Sequence, residues 1–163
     1  MRRRIIREKV VQALYAFEIS GDPVEHVVET ILVGLKNNPA AYEFAKKLVQ
    51  QTITHTPDID IVIKEKVTNW DFKRIAVLDR LILRMGICEL LYFKEIPPKV
   101  SMNEAIELAK LFSTQRSGQF VNGVLDAVLN DMKAAGGLTK AGRGLYEGDG
   151  TIRVTRAKAK RAT

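Results

Sequence analysis

Between Lys99 and Leu129 the chain starts two helices and lays down two apolar stripes, and that pairing in one short window constrains the fold more than any other feature. Ser101-Met102-Asn103-Glu104 has the form of a capping box, with the Ser101 hydroxyl accepting from the Glu104 amide and the Glu104 carboxylate reaching back to the Ser101 amide. A helix is therefore expected to start at Met102. From there Ala105, Ile106, Ala109 and Phe112 recur at helical spacing, and beyond Ser117 the set Val121, Val124, Leu125, Val128 and Met132 does the same. Two amphipathic helices joined by a short loop follow from this, their stripes serving first as packing surfaces. Asn122 beside Gly123 reads as a buried hydrogen-bonding residue where two helices pass closely.

The same periodicity runs through the rest of the chain, and no alternating strand pattern of useful length interrupts it, so the expected class is all-α. Helix one is expected from about Arg3 to Ile19, with Ile6, Val10, Ala13, Leu14 and Phe17 inward and Ser20-Gly21-Asp22-Pro23 ending it. The second covers roughly Pro23 to Lys36, the third Ala40 to Thr54, and a short fourth Ile59 to Val67. The fifth, Phe72 to Phe93, is apolar on most sides, as a helix surrounded by others must be, and Pro97-Pro98 closes it. Counting the hairpin, this makes a compact bundle of about seven helices, with helices one to three and five to seven as two packed three-helix layers.

A length of 163 residues with 46% apolar content suits one domain with a real core and leaves no room for a second, catalytic one. The domain is expected over residues 1–135. After Ala135, the glycines and scattered Lys and Arg of residues 136–163 supply no apolar face and read as a basic, disordered tail with a short extended stretch at Thr151 to Val154. Asp79, Arg80, Arg84 and Glu89 interrupt the most apolar helix, which excludes a membrane span there. The start, Met-Arg-Arg-Arg, lacks a secretory apolar region, and a lone Cys88 permits no internal disulfide, so a cytoplasmic protein is expected.

Charge is concentrated at the ends. Of the net +7, residues 1–9 hold +4 and residues 139–163 hold +5, so the body between them is −2. Basic ends on a mildly acidic body suggest a polyanion partner for the termini and a separate surface for something else. At about 100° per residue, Arg4, Arg7 and Tyr15 fall within about an 80° arc of helix one, with Arg3 and Gln12 flanking. Guanidinium forks hold phosphate oxygens at two points, and an unstacked base lies against a tyrosine ring or a guanidinium plane. The alternative for this end is a solvated, partly frayed basic start. For the charges of helix five the residues alone leave internal ion pairing open.

Enzyme chemistry finds no support. His26 and His55 sit in different helices, no His, Cys, Asp and Glu spacing matches a metal site, and no strand precedes a Gly-rich turn that would hold a nucleotide. No cofactor or metal is therefore expected.

The segments NEAIELAK (Asn103 to Lys110) and FVNGVLD (Phe120 to Asp126), nine residues apart, closely resemble the end of the NusB transcription antitermination fold. The family's helix-one signature resembles Arg-Arg-x-x-Arg-Glu-x-x-x-Gln-Ala-Leu-Tyr, matched here by Arg3, Arg4, Arg7, Glu8, Gln12, Ala13, Leu14 and Tyr15. The resemblance covers about residues 2–133 and is strongest in 2–15 and 97–129. It implies that the arginine-rich end, including Arg2, grips a short single-stranded element of ribosomal RNA leaders called boxA. It also implies that the start of the last helix, with Arg116, Gln119 and Phe120, lies beside that RNA. Arg116 stands where an acidic residue is frequent in the family, which should strengthen phosphate attraction.

The resemblance further implies that the helix-five region, with Asp79 and Glu89 at matching positions beside Arg80 and Arg84, docks a small-subunit ribosomal protein. The pair would bind RNA more tightly than either alone and link nascent RNA to the RNA polymerase antitermination complex. Members occur as monomers or as homodimers paired through the arginine face. Two other readings stand beside this one. The domain also occurs as an RNA-binding appendage of ribosomal RNA cytosine methyltransferases, which carry a further catalytic domain. A helical oligomerisation protein with incidental basic ends would bind boxA RNA no better than a scrambled oligonucleotide.

Overall fold

The computed structural model describes residues 3–68 and 71–136. Arg2 and residues 137–163 of the basic tail, with its stretch at Thr151 to Val154, lie outside them. Within the described residues all regular structure is helical: α1 (Arg3–Ser20), α2 (Val24–Ile31), α3 (Pro39–Thr54), α4 (Thr56–Lys66), α5 (Val77–Tyr92), α6 (Pro98–Phe112) and α7 (Gln115–Ala134), with 3-10 turns at Val33–Leu35 and Phe72–Arg74. α1, α2 and α3 pack on one another, as do α5, α6 and α7. These are the two expected layers. α5 also touches α1, α3 and α4, which makes it the axis of the bundle, and the short α4 leans on α5 and α7. Every residue of α5 from Leu81 to Leu91 is buried, Cys88 among them.

Local chemistry sets most ends. Gly21, at φ 71°, takes the left-handed conformation that stops α1, its amide donating to the Phe17 carbonyl at 3.1 Å. Asn38 caps α3 by accepting from the Ala41 amide at 3.2 Å, with Pro39 in the first helical position. Thr114 caps α7 in the same way, accepting from the Ser117 amide at 3.0 Å.

Four expectations are corrected. The second helix stops at Ile31 and does not reach Lys36, because a 3-10 turn follows; its three-residue repeat puts Leu32 and Leu35 together in the core and leaves Val33 outside. The fifth is broken near its start, where extended backbone at Ile75 and Ala76 drives Ile75 inward between the 3-10 turn and Val77. α6 begins at Pro98, a turn before Met102, since a proline with its preset φ and missing amide opens a helix without loss. Ser101 and Glu104 are then inside the helix and form no capping box; both side chains turn to other helices. Finally, Asn122 and Gly123 are exposed, and a Cβ on Gly123 would meet nothing. The close passages lie elsewhere: a Cβ on Gly118 would fall 2.7 Å from Lys110 Cγ, and one on Gly86 3.2 Å from Leu125 Cδ1.

Candidate nucleic-acid interface

The arginine end of α1 divides into an outer and an inner set. Arg3, Gln12 and Tyr15 are exposed, Tyr15 at 44%. Arg4 is partly exposed, its side chain at 41%, and its guanidinium makes a two-point contact with Glu104 of α6 at 3.0 and 3.2 Å. Arg7, one turn on, is 2% exposed. Its Nη2 and Nε donate to Glu89 Oε1 and Oε2 at 2.7 and 2.8 Å, and the Ser101 hydroxyl donates to Glu89 Oε1 at 2.8 Å. A third donor reaches the Arg3 carbonyl, and the guanidinium lies 5.1 Å from the Phe44 ring centroid. Arg7 thus presents no free fork to solvent. Helical spacing put it on the arc of Arg4 and Tyr15, but the acid waiting on α5 draws it inward.

A second patch opens α7. Arg116 and Gln119 are exposed and Phe120 is half-buried. They line a hollow of about 530 Å³ with Ile75, Asp79, Thr114 and Ser117, and Gln119 and Phe120 also border a smaller one of about 280 Å³ with Lys66, Val67, Thr68 and Gly123. α6 separates the two patches. Glu104, which holds Arg4, lies about 14 Å up the axis from Ser113, where α6 gives way to α7. The structure brings Arg3, Arg4, Gln12 and Tyr15 onto one helix and Arg116, Gln119 and Phe120 onto another.

The four charges of α5 do not form a surface. Glu89 is fully buried and faces α1 and α6. Arg84 makes a two-point contact with Asp60 of α4 at 2.8 and 2.9 Å and reaches Glu18 of α1 at 3.5 Å; Arg80 lies 3.8 Å from Glu18 and donates to the Ile75 carbonyl. Asp79 points the other way, its Oδ2 accepting from the Ser117 hydroxyl at 3.0 Å. Burial pushes the Asp79 carboxyl above its ordinary range, partly offset by that hydrogen bond. Internal pairing, left open by the residues alone, is therefore what the structure shows for Arg80, Arg84 and Glu89.

Sequence reasoning missed the acids that organise the site: Glu104, spent there on a cap, and Glu18 and Asp60. The separation of Arg4 from Glu104 is 100 positions, beyond the reach of any local pattern.

Residues 4–130 match the model of the NusB family. This chain belongs to the NusB family. Among curated relatives, transcription antitermination protein NusB of Salinibacter ruber is 46% identical over 144 residues, covering 88% of this chain and 90% of the relative. The protein of that name from Chloroherpeton thalassium is 42% identical over 146 residues, covering 89% and 69%. Among solved structures, T. maritima NusB superposes with a TM-score of 0.74 at 35% identity, covering 80% of this chain and 92% of that one. A chain of the complex of antitermination factors NusB and NusE with double-stranded RNA gives 0.70 at 31% identity, covering 78% and 96%. The NusB family is one of non-catalytic transcription antitermination factors. Among the described residues of this NusB-family chain, no helix is long and apolar enough to cross a membrane.

Proposed function

We propose that this chain is an RNA-binding antitermination factor that recognises boxA-like single-stranded RNA together with a small-subunit ribosomal protein. It would act in the cytoplasm, support ribosomal RNA transcription and join the complex on RNA polymerase. The observation that carries the reading is the outer face of α1, where Arg3, Arg4, Gln12 and Tyr15 are exposed in whole or part while the buried Arg7–Glu89 pair pins the helix beneath them. Arg4 is held in two-point geometry by a carboxylate, so its fork is already aligned for the similar spacing of phosphate oxygens. Arg116 and Gln119 extend the path at the start of α7, and Arg2 is assigned to it only as the neighbour of Arg3 in the sequence. The neighbour solved as antitermination factors NusB and NusE in complex with double-stranded RNA supports the coarser part of this reading, an RNA and a second protein factor as partners.

In this reading Arg7 and Glu89 are supports, not contacts. The ribosomal partner meets the rim where Glu18 receives Arg80 and Arg84, beside the exposed Ile19, and the acidic character of the body suits a basic ribosomal protein.

A titration of labelled boxA RNA and a scrambled control at two salt concentrations, with and without the ribosomal protein, tests the proposal. Binding should prefer boxA, weaken steeply with salt as counterions are released, and tighten with the partner. Equal affinity for both RNAs would leave only an oligomerisation protein with basic ends.

A further inference from the structure

Asp79 sits where α5 meets the first turn of α7, and only one of its two carboxylate oxygens is used. Oδ2 accepts from Ser117, whereas no donor among the described residues reaches the buried Oδ1. The residue is 8% exposed and borders the hollow shared by Arg116, Gln119 and Phe120. A buried acceptor without a donor is unfavourable, and more so when it carries charge, so the arrangement makes physical sense if a donor arrives from outside.

The surroundings restrict what that donor can be. Exposed Arg116 at the edge of the hollow attracts phosphate, while the carboxylate inside repels it. A polyanion that also carries uncharged N–H donors satisfies both groups at once. Unpaired nucleotides are built this way, with phosphates along the strand and amino groups on the base edges, and carboxylates accept from such amino groups. Phe120 and Ile75 supply the apolar walls against which a flat ring can lie.

We propose that Asp79 is a specificity-determining residue of the RNA site, accepting at Oδ1 from the exocyclic amino group of one unpaired base while Arg116 holds an adjacent phosphate. The assignment rests on the RNA-binding reading above and moves Asp79 from the protein-partner surface implied by the family resemblance to the RNA path. Ser117 has a separate, positioning part: its hydroxyl ties the start of α7 to Asp79 and so sets where Arg116, Gln119 and Phe120 stand.

Asp79→Asn separates these parts. The amide carbonyl still accepts from Ser117, but the free acceptor is replaced by a donor. Labelled boxA RNA is titrated into the full chain, with each amino-bearing nucleotide replaced in turn by its amino-deleted analogue, for example inosine for guanosine. The wild type should lose about tenfold in affinity at one position. Asp79→Asn should bind the natural RNA about as weakly as the wild type binds that analogue, with no further loss when the amino group is deleted. Ser117→Ala should weaken all the RNAs alike and keep the discrimination. A wild type indifferent to every amino deletion, or an Asp79→Asn chain that still discriminates, overturns the assignment. Loss of ribosomal-protein binding in Asp79→Asn with discrimination intact overturns it in favour of a protein contact. The RNA-binding reading fails in a different way, through equal affinity of the wild type for boxA and scrambled RNA.

Discussion

Two buried carboxylates on one helix meet different environments. Glu89, toward the end of α5, has both oxygens engaged by Arg7 and one also by Ser101. Asp79, at its start, has one oxygen on a hydroxyl and the other without a donor. The first is a closed strut that fastens α1 to the layer of α5 and α6. The second borders an open hollow beside an exposed arginine. Withdrawal from water is common to both, so burial alone does not mark a binding group; what distinguishes them is whether the fold itself supplies every partner.

Breaking the closed end should give the largest effect. Glu89→Ala strands the Arg7 guanidinium in the core and should destabilise the fold by about 3–5 kcal/mol in urea unfolding, as removing one member of a buried pair does. Replacing both members by apolar residues of similar volume should recover most of that loss. A cost of Glu89→Ala below about 1 kcal/mol would show that water reaches Arg7 and that the strut is not closed.

Arg4 sharpens the comparison from the rim of the same region. Its pair with Glu104 is open to solvent, so Arg4→Ala should lower stability by less than about 1 kcal/mol. In RNA titrations it should weaken binding across sequences and reduce the log–log salt slope by about 0.7, the value for one phosphate contact on a single strand. An unchanged slope would mean that Glu104 keeps Arg4 throughout and that phosphates bind elsewhere.

The smallest effect concerns pH at the open end. A carboxyl whose folded value is raised binds its proton more tightly in the folded than in the unfolded chain. In the window above the ordinary value of 3.8, up to the raised one, stability should therefore fall as pH rises and the folded state is made to carry the charge. Asp79→Asn should remove that slope. Urea midpoints of the two chains compared across the window check this, and parallel curves would show that Asp79 titrates as it does in the unfolded state.

Much of the bundle was legible because its signals are local. The glycine at the end of α1 and the apolar stripes of α6 and α7 act within a turn or two of where they are written. Expectations failed where a local rule had a distant competitor. Ser101 and Glu104 have the spacing of a cap, yet Ser101 turns to α5 and Glu104 to α1. Asn122-Gly123 looks like a helix crossing, but the crossings fall at Gly86 and Gly118, where a neighbouring side chain occupies the space a Cβ would take.

By itself, the sequence determined that this chain would be helical, how many helices it would have to pack, and that its cations would gather at the ends of the chain. It could not say which of Arg4 and Arg7 faces water, because their partners lie 100 and 82 positions away and helical periodicity carries no information over that distance. Only the packing of α1 against α5 and α6 decided it: a charge accepts burial where an opposite charge is already in place, and that place exists only once the helices have met.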